Sequence, residues 1–182
     1  AGKSETIEAL RRTRAGDIQD VLIVADDMGS FSLQSDGKIV GYGTEMGAFV
    51  RLDDLQAGYA FGQIDRTIIM NPDQVNARVV IPVTRYDYVI KGIPVDAVLY
   101  ANNYEKVDAE HPALEQFNQP QEALKVFRRG AVMSKGTTST TGIVENYFAN
   151  IFGPLQYRSL HETIAEKYFN AFFDAGLYVG QL

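Results

Sequence analysis

The run Val21-Leu22-Ile23-Val24-Ala25-Asp26-Asp27-Met28-Gly29 carries the strongest local signal in the chain. Its first five residues are continuously apolar and rich in β-branched side chains, the composition of a buried strand. Its last four place two carboxylates and a glycine where that strand would end. Upstream, Ala1-Gly2-Lys3-Ser4 leads at once into Glu5 to Arg14, a helix-forming segment with Ile7 and Leu10 paired at i, i+3. Downstream, Phe31 to Gln34 and Lys38 to Tyr42 flank Ser35-Asp36-Gly37, which predicts a hairpin with Asp-Gly in its turn. Met46 to Leu52, Arg66 to Met70, Ala77 to Pro82, Tyr86 to Ile90 and Val95 to Tyr100 read as further strands, with Asn71-Pro72-Asp73 as a turn. One helix followed by many short strands predicts an α/β fold with a mixed, mainly antiparallel, strand-rich core and few helices.

The last third changes character. Asp108 to Pro120 is polar and irregular or partly helical, and Gln121 to Arg128 reads as a short helix. Gly130 to Gly142 is small, polar and Gly-flanked, so it reads as a mobile loop. Leu160, Ile164, Tyr168 and Phe172 recur every four residues in a long helix that is expected to bury all four. Gly176 is placed to end it, and Leu177-Tyr178-Val179 to open a final strand.

Composition narrows the function classes. The 182 residues are 46% hydrophobic, as in a globular domain, and no window approaches the roughly 20 apolar residues of a membrane span. With no Cys, neither a disulfide framework nor a Cys-based zinc site is available, which fits a cytoplasmic protein. The 17 basic against 23 acidic residues, a net charge of -6, argue against nucleic-acid partners, which need clustered Lys and Arg. Of the two histidines, His111 sits in a polar loop and His161 near a helix start, and both read as surface or structural groups.

Gly2-Lys3-Ser4 matches the end of the P-loop pattern G-x-x-x-x-G-K-[ST]. Such a loop holds phosphates because unpaired amides and the helix dipole both favour an anion there. The helix pattern follows immediately, as a P-loop requires. A chain cut within its phosphate loop is the expectation. Val21 to Asp27 then stands where a Walker B strand would, with its Asp reaching a metal directly or through water. Asp26-Asp27-Met28-Gly29 also matches the D-x-x-G of GTPases, but Asn102-Asn103-Tyr104-Glu105 does not supply the N-K-x-D that specifies guanine.

Two further elements follow in order, Gly43-Thr44-Glu45-Met46-Gly47-Ala48-Phe49-Val50-Arg51, a Gly-bracketed strand, and Asn76-Ala77-Arg78 opening a strand that ends at Pro82. With Gly2-Lys3-Ser4 and Asp26-Asp27-Met28-Gly29 they resemble the nucleotide-binding domain of phosphoenolpyruvate carboxykinases, especially the ATP-dependent enzymes. That family has G-T-G-K-T, D-D-E-H-G, E-G-G-C-Y-A-K and N-T-R in the same order. It then has a Gly- and Thr-rich lid, matched by Gly130 to Gly142, and an F-G-x-P turn with a helix introduced by L-H, matched by Phe152-Gly153-Pro154 and Leu160-His161. The resemblance spans nearly the whole chain and rests on order and spacing.

What the resemblance implies is a P-loop-containing carboxykinase-like domain over 1–182, the C-terminal part of a longer protein whose N-terminal domain is missing. Its cofactors would be ATP and Mg²⁺ or Mn²⁺, and its partners a nucleotide and a small-molecule phosphoryl acceptor. Gly2, Lys3 and Ser4 would hold phosphate, and Lys3 would contact the β- and γ-phosphates. Ser4, Asp26 and Asp27 would hold the metal, Arg78 would stabilise the transferring phosphoryl group, and Glu45 and Arg51 would face the nucleotide. Three positions depart from the family: Met28 replaces an acidic residue, Met46 a glycine, and Ser30 stands where an aromatic often does. The family's oxaloacetate-binding residues lie upstream of the P-loop. Two alternatives remain: a kinase of the HPr-kinase type acting on another acceptor, and a non-catalytic nucleotide-binding or structural module.

Overall fold

The computed structural model describes residues 21–51, 68–70, 78–135, 141–150 and 155–182. Gly2, Lys3, Ser4 and the predicted first helix lie outside the described residues. The chain divides into two compact units, one of Ser32–Val40 and Pro94–Leu182, the other of Gly2–Phe31 and Gly41–Ile93. Among the described residues the fold is mixed α/β, with several small sheets and three α-helices.

In the second of these units, β3 (Gly47–Arg51), β4 (Ile68–Met70) and β5 (Arg78–Pro82) form an antiparallel sheet in the order β3-β5-β4. Gly47 lies opposite Pro82 and Arg51 opposite Arg78. Ala48, Val79 and Ile81 are buried. Tyr86–Lys91 is helix α1, not the predicted strand. Its aromatic and β-branched composition favours a strand. However, Asp87 in the first turn and Lys91 in the last complement the helix dipole, and Gly92 at φ 75 ends it. Val89 is then buried, while Tyr86 and Ile90 stay on the exposed side.

The predicted hairpin forms as β1 (Gly29–Leu33) and β2 (Ile39–Gly43), closed by the Gln34 amide donating to the Lys38 carbonyl at 2.9 Å. β6 (Ile93–Pro94) joins this sheet in the order β1-β2-β6.

The other unit holds the principal core. β7 (Ala97–Tyr100), β8 (Glu115–Gln116) and β11 (Tyr178–Gln181) lie in the order β7-β11-β8, with β11 parallel to β7 and antiparallel to β8. The pattern on β7 alternates, with Val98 and Tyr100 buried and Ala97 and Leu99 exposed. Helix α2 (Pro120–Arg129) starts with Pro in its first turn and buries Ala123 and Leu124. Helix α3 (Arg158–Asp174) buries Ala165, Phe169 and Phe172. These helices and strands enclose one apolar cluster with Ile39, Val98, Phe117 and Val179. Buried Tyr100 donates its hydroxyl to the Ala131 carbonyl at 2.6 Å, and burial pushes its phenol up to about 12, so it keeps that proton.

Two expectations for this unit are corrected. Leu160 and Ile164 are 58% and 44% exposed, so the buried face of α3 is not the four-residue stripe. A step of four residues advances about 40° around a helix of 3.6 residues per turn, so Leu160 and Phe172 stand about 120° apart. Secondly, Gly130 to Gly142 is not simply a loop. Its ends form an antiparallel pair, β9 (Ala131–Lys135) and β10 (Thr141–Glu145), with Ala131 opposite Glu145. The expected tip, 136–140, lies outside the described residues.

Candidate functional site

Val21 to Ala25 does not form the expected strand. An apolar β-branched run becomes a strand only when a neighbouring backbone completes its hydrogen bonds. Among the described residues no ladder includes it, and Leu22 is 48% exposed. Asp26 and Asp27 therefore precede β1 rather than ending a strand.

The segment is nevertheless held. An added Cβ on Gly43 would stand 2.2 Å from the Val24 carbonyl oxygen, so Gly43 admits a backbone approach closed to any other residue. Two residues on, one Glu45 carboxylate oxygen, Oε1, accepts from the amides of both Asp27 (2.8 Å) and Met28 (3.0 Å). Thr44 Oγ1 donates to the Met28 carbonyl at 3.0 Å. Three consecutive residues, Gly43-Thr44-Glu45, thus clasp the turn that carries the two aspartates. We expect Gly43→Ala to destabilise the protein by about 1–3 kcal/mol, because the atom nearest the new methyl group is the Val24 backbone carbonyl oxygen, which no side-chain rotation can move aside. Denaturant unfolding measures this, and an unchanged midpoint would show that the turn is not docked there.

Of the residues singled out from the sequence, Asp26, Asp27 and Glu45 come together at this turn. Arg51 and Arg78 come together elsewhere, as cross-strand partners at one end of the β3–β5 ladder. Gly47 marks the other end, next to Glu45, and four residues of strand span roughly 14 Å. The structure therefore sorts the candidates into an acidic turn and an arginine pair at opposite ends of β3. Gly2, Lys3 and Ser4 lie outside the described residues. Gly43 and Thr44 belong to the element singled out from the sequence, but there they read only as the start of a Gly-bracketed strand, and their hold on residues 24–28 was not foreseen.

Among the described residues no group of three or more His, Asp or Glu is arranged to hold a metal ion. Asp26 and Asp27 still offer the hard oxygen donors that Mg²⁺ takes. That ion is commonly held by one or two carboxylates with waters and phosphate oxygens completing its shell.

The two histidines sit in structural settings. Exposed His111 lies 3.1 Å from Asp108, and this hydrogen bond raises its pKa. Asp108 also accepts from the amides of Glu110 and His111, which hold its carboxyl below the usual range. His161 Nδ1 lies 2.8 Å from Tyr147 Oη, edge-on to the rings of Tyr147 and Phe148. Burial, then the Glu162 carboxylate, raises the Tyr147 phenol above its ordinary value. No helix among the described residues is long and apolar enough to cross a membrane.

No protein-family model matches this chain, and no curated protein matches it.

Proposed function

We propose that this chain is the nucleotide-binding part of an ATP- and Mg²⁺-dependent phosphoryl-transfer enzyme of the phosphoenolpyruvate carboxykinase type. The supporting observation is the junction of two motifs that the resemblance assigns to one site: Glu45 of the Glu-Met-Gly element bonds the backbone of the Asp-Asp-Met-Gly turn. In this reading Lys3 neutralises the terminal phosphates. Asp26, Asp27 and the Ser4 hydroxyl hold Mg²⁺, which supplies charge neutralisation at the phosphate oxygens. Arg78, with Arg51 opposite it, stabilises charge on the transferring group. The acceptor is a small molecule, and an enolate formed by decarboxylation is the one the family uses.

A non-catalytic nucleotide-binding module is the second reading. It is favoured by the roughly 14 Å of strand between the acidic turn and the arginine pair, since phosphoryl transfer needs both charges on one group.

Titration calorimetry with ATP and Mg²⁺ tests both readings. Binding is expected, and Lys3→Ala should weaken it roughly 10- to 100-fold, the worth of a charged hydrogen bond. No binding would overturn both. Formation of phosphoenolpyruvate from oxaloacetate and ATP then separates the carboxykinase from a kinase with another acceptor and from a module without catalysis.

A further inference from the structure

The resemblance places Glu45 against the nucleotide, but its bonds point elsewhere. Oε1 already accepts two backbone N–H groups, from consecutive residues of the aspartate turn. A carboxylate oxygen has two lone pairs, so this atom has none left for a ligand. The neighbouring Thr44 takes the carbonyl of the same residue, so both the N–H and the C=O of Met28 are fixed by the 44–45 pair. Gly29 and Gly43 add two close backbone approaches. A Cβ on Gly29 would meet the Tyr42 carbonyl oxygen at 3.1 Å, and one on Gly43 the Val24 carbonyl oxygen at 2.2 Å. Residues 42–45 therefore grip residues 24–29 along their length, and the charged member of that grip binds the peptide groups between Asp26 and Met28.

We infer that Glu45 is a positioning residue, which sets the backbone of the Asp26–Asp27 turn and through it the two carboxylates offered to a divalent cation. The inference rests on the phosphoryl-transfer reading for the cation and on the hydrogen bonds alone for the turn. It makes a distinction that a ligand role does not. Gln keeps a carbonyl oxygen at Oε1 and can accept the same two amides, but it has lost the charge a metal or ligand role would use. Ala loses both. Groups that orient metal ligands typically change metal affinity about 10- to 100-fold when removed.

The test uses Mn²⁺ as the probe, read by its electron paramagnetic resonance signal, together with hydrogen exchange at the amides of Asp27 and Met28. Glu45→Ala should speed exchange at both amides and weaken Mn²⁺ about tenfold or more. Glu45→Gln should leave both readouts within about threefold of the parent, as expected where the hydrogen bonds are retained. Equal loss of Mn²⁺ in the two variants would make Glu45 a ligand and overturn the inference. So would unchanged exchange in Glu45→Ala. A parent protein that binds no Mn²⁺ overturns the cation part and counts against the phosphoryl-transfer reading, while the exchange data still decide whether Glu45 holds the turn.

Discussion

Phe172→Ala is expected to lower the stability of the protein by about 3–5 kcal/mol, the usual range for emptying a buried aromatic site. Phe172 is only 2% exposed and lies within one ring contact of Phe169 (5.5 Å) and Tyr168 (6.1 Å), inside the cluster formed by α2, α3 and β11. The cavity left behind has few ways to collapse, because its walls are the two helices and the parallel β7–β11 pair. Leu160→Ala, on the same helix and in the same four-residue stripe, should change stability by less than about 0.5 kcal/mol, since its side chain is largely in solvent. Urea unfolding followed by circular dichroism reads both. Equal losses would mean that the stripe of Leu160, Ile164, Tyr168 and Phe172 is the core face after all, and the register of α3 would have to be rotated.

That pair of variants shows where the sequence was legible. Helices α2 and α3, the Asp-Gly hairpin, β3, β5, β7 and the last strand lie close to where patterning puts them. The two helices, the hairpin and the last strand combine an apolar signal with a local start or stop: Pro120, Gly37, Gly130 or Gly176. The errors came where one signal stood alone. Tyr86 to Lys91 has strand composition but helix-end charges, and over six residues the ends decide. Val21 to Ala25 has strand composition, but among the described residues no ladder includes it, something the sequence of the segment itself does not record. Gly130 to Gly142 looked irregular because its residues are small. Ala131 to Lys135 pairs with Thr141 to Glu145 because an antiparallel ladder asks only for backbone groups.

The candidate site divides in the same way. Motif order brought Asp26, Asp27 and Glu45 into one list, and the fold brings them to one turn. It brought Arg51 and Arg78 into the same list, and the fold pairs them with each other instead. Spacing along a chain says which residues share an element. It does not say which end of a strand faces which partner, because that is set by the ladder register. The work done by Gly43 was illegible for a related reason: close approach of a carbonyl from 19 residues upstream leaves no trace except an absent side chain.

Gly130→Ala is expected to be among the most damaging substitutions of a small residue, at about 2–5 kcal/mol. Two costs add. Gly130 ends α2 in the left-handed region, φ 58 and ψ 41, with its N–H on the Val126 carbonyl at 3.2 Å, and an L-residue there costs about 1–2 kcal/mol. The added Cβ would also stand 1.9 Å from the Asn146 carbonyl oxygen and 2.1 Å from the Ala149 nitrogen. Both are backbone atoms, so no side chain can swing aside. The turn they belong to already holds Phe148 and Ala149 at φ 53 and 55, an unfavourable conformation for both, and has little freedom to retreat. Gly176→Ala isolates the first cost. It too is left-handed, at φ 72, but nothing lies within 4 Å of its Cβ position, so about 1–2 kcal/mol is expected. Paired unfolding curves should therefore place Gly130→Ala well below Gly176→Ala. Equal midpoints would mean that the 146–149 turn yields to the methyl group. The contact between α2's end and that turn would then be soft, not a fixed point of the fold.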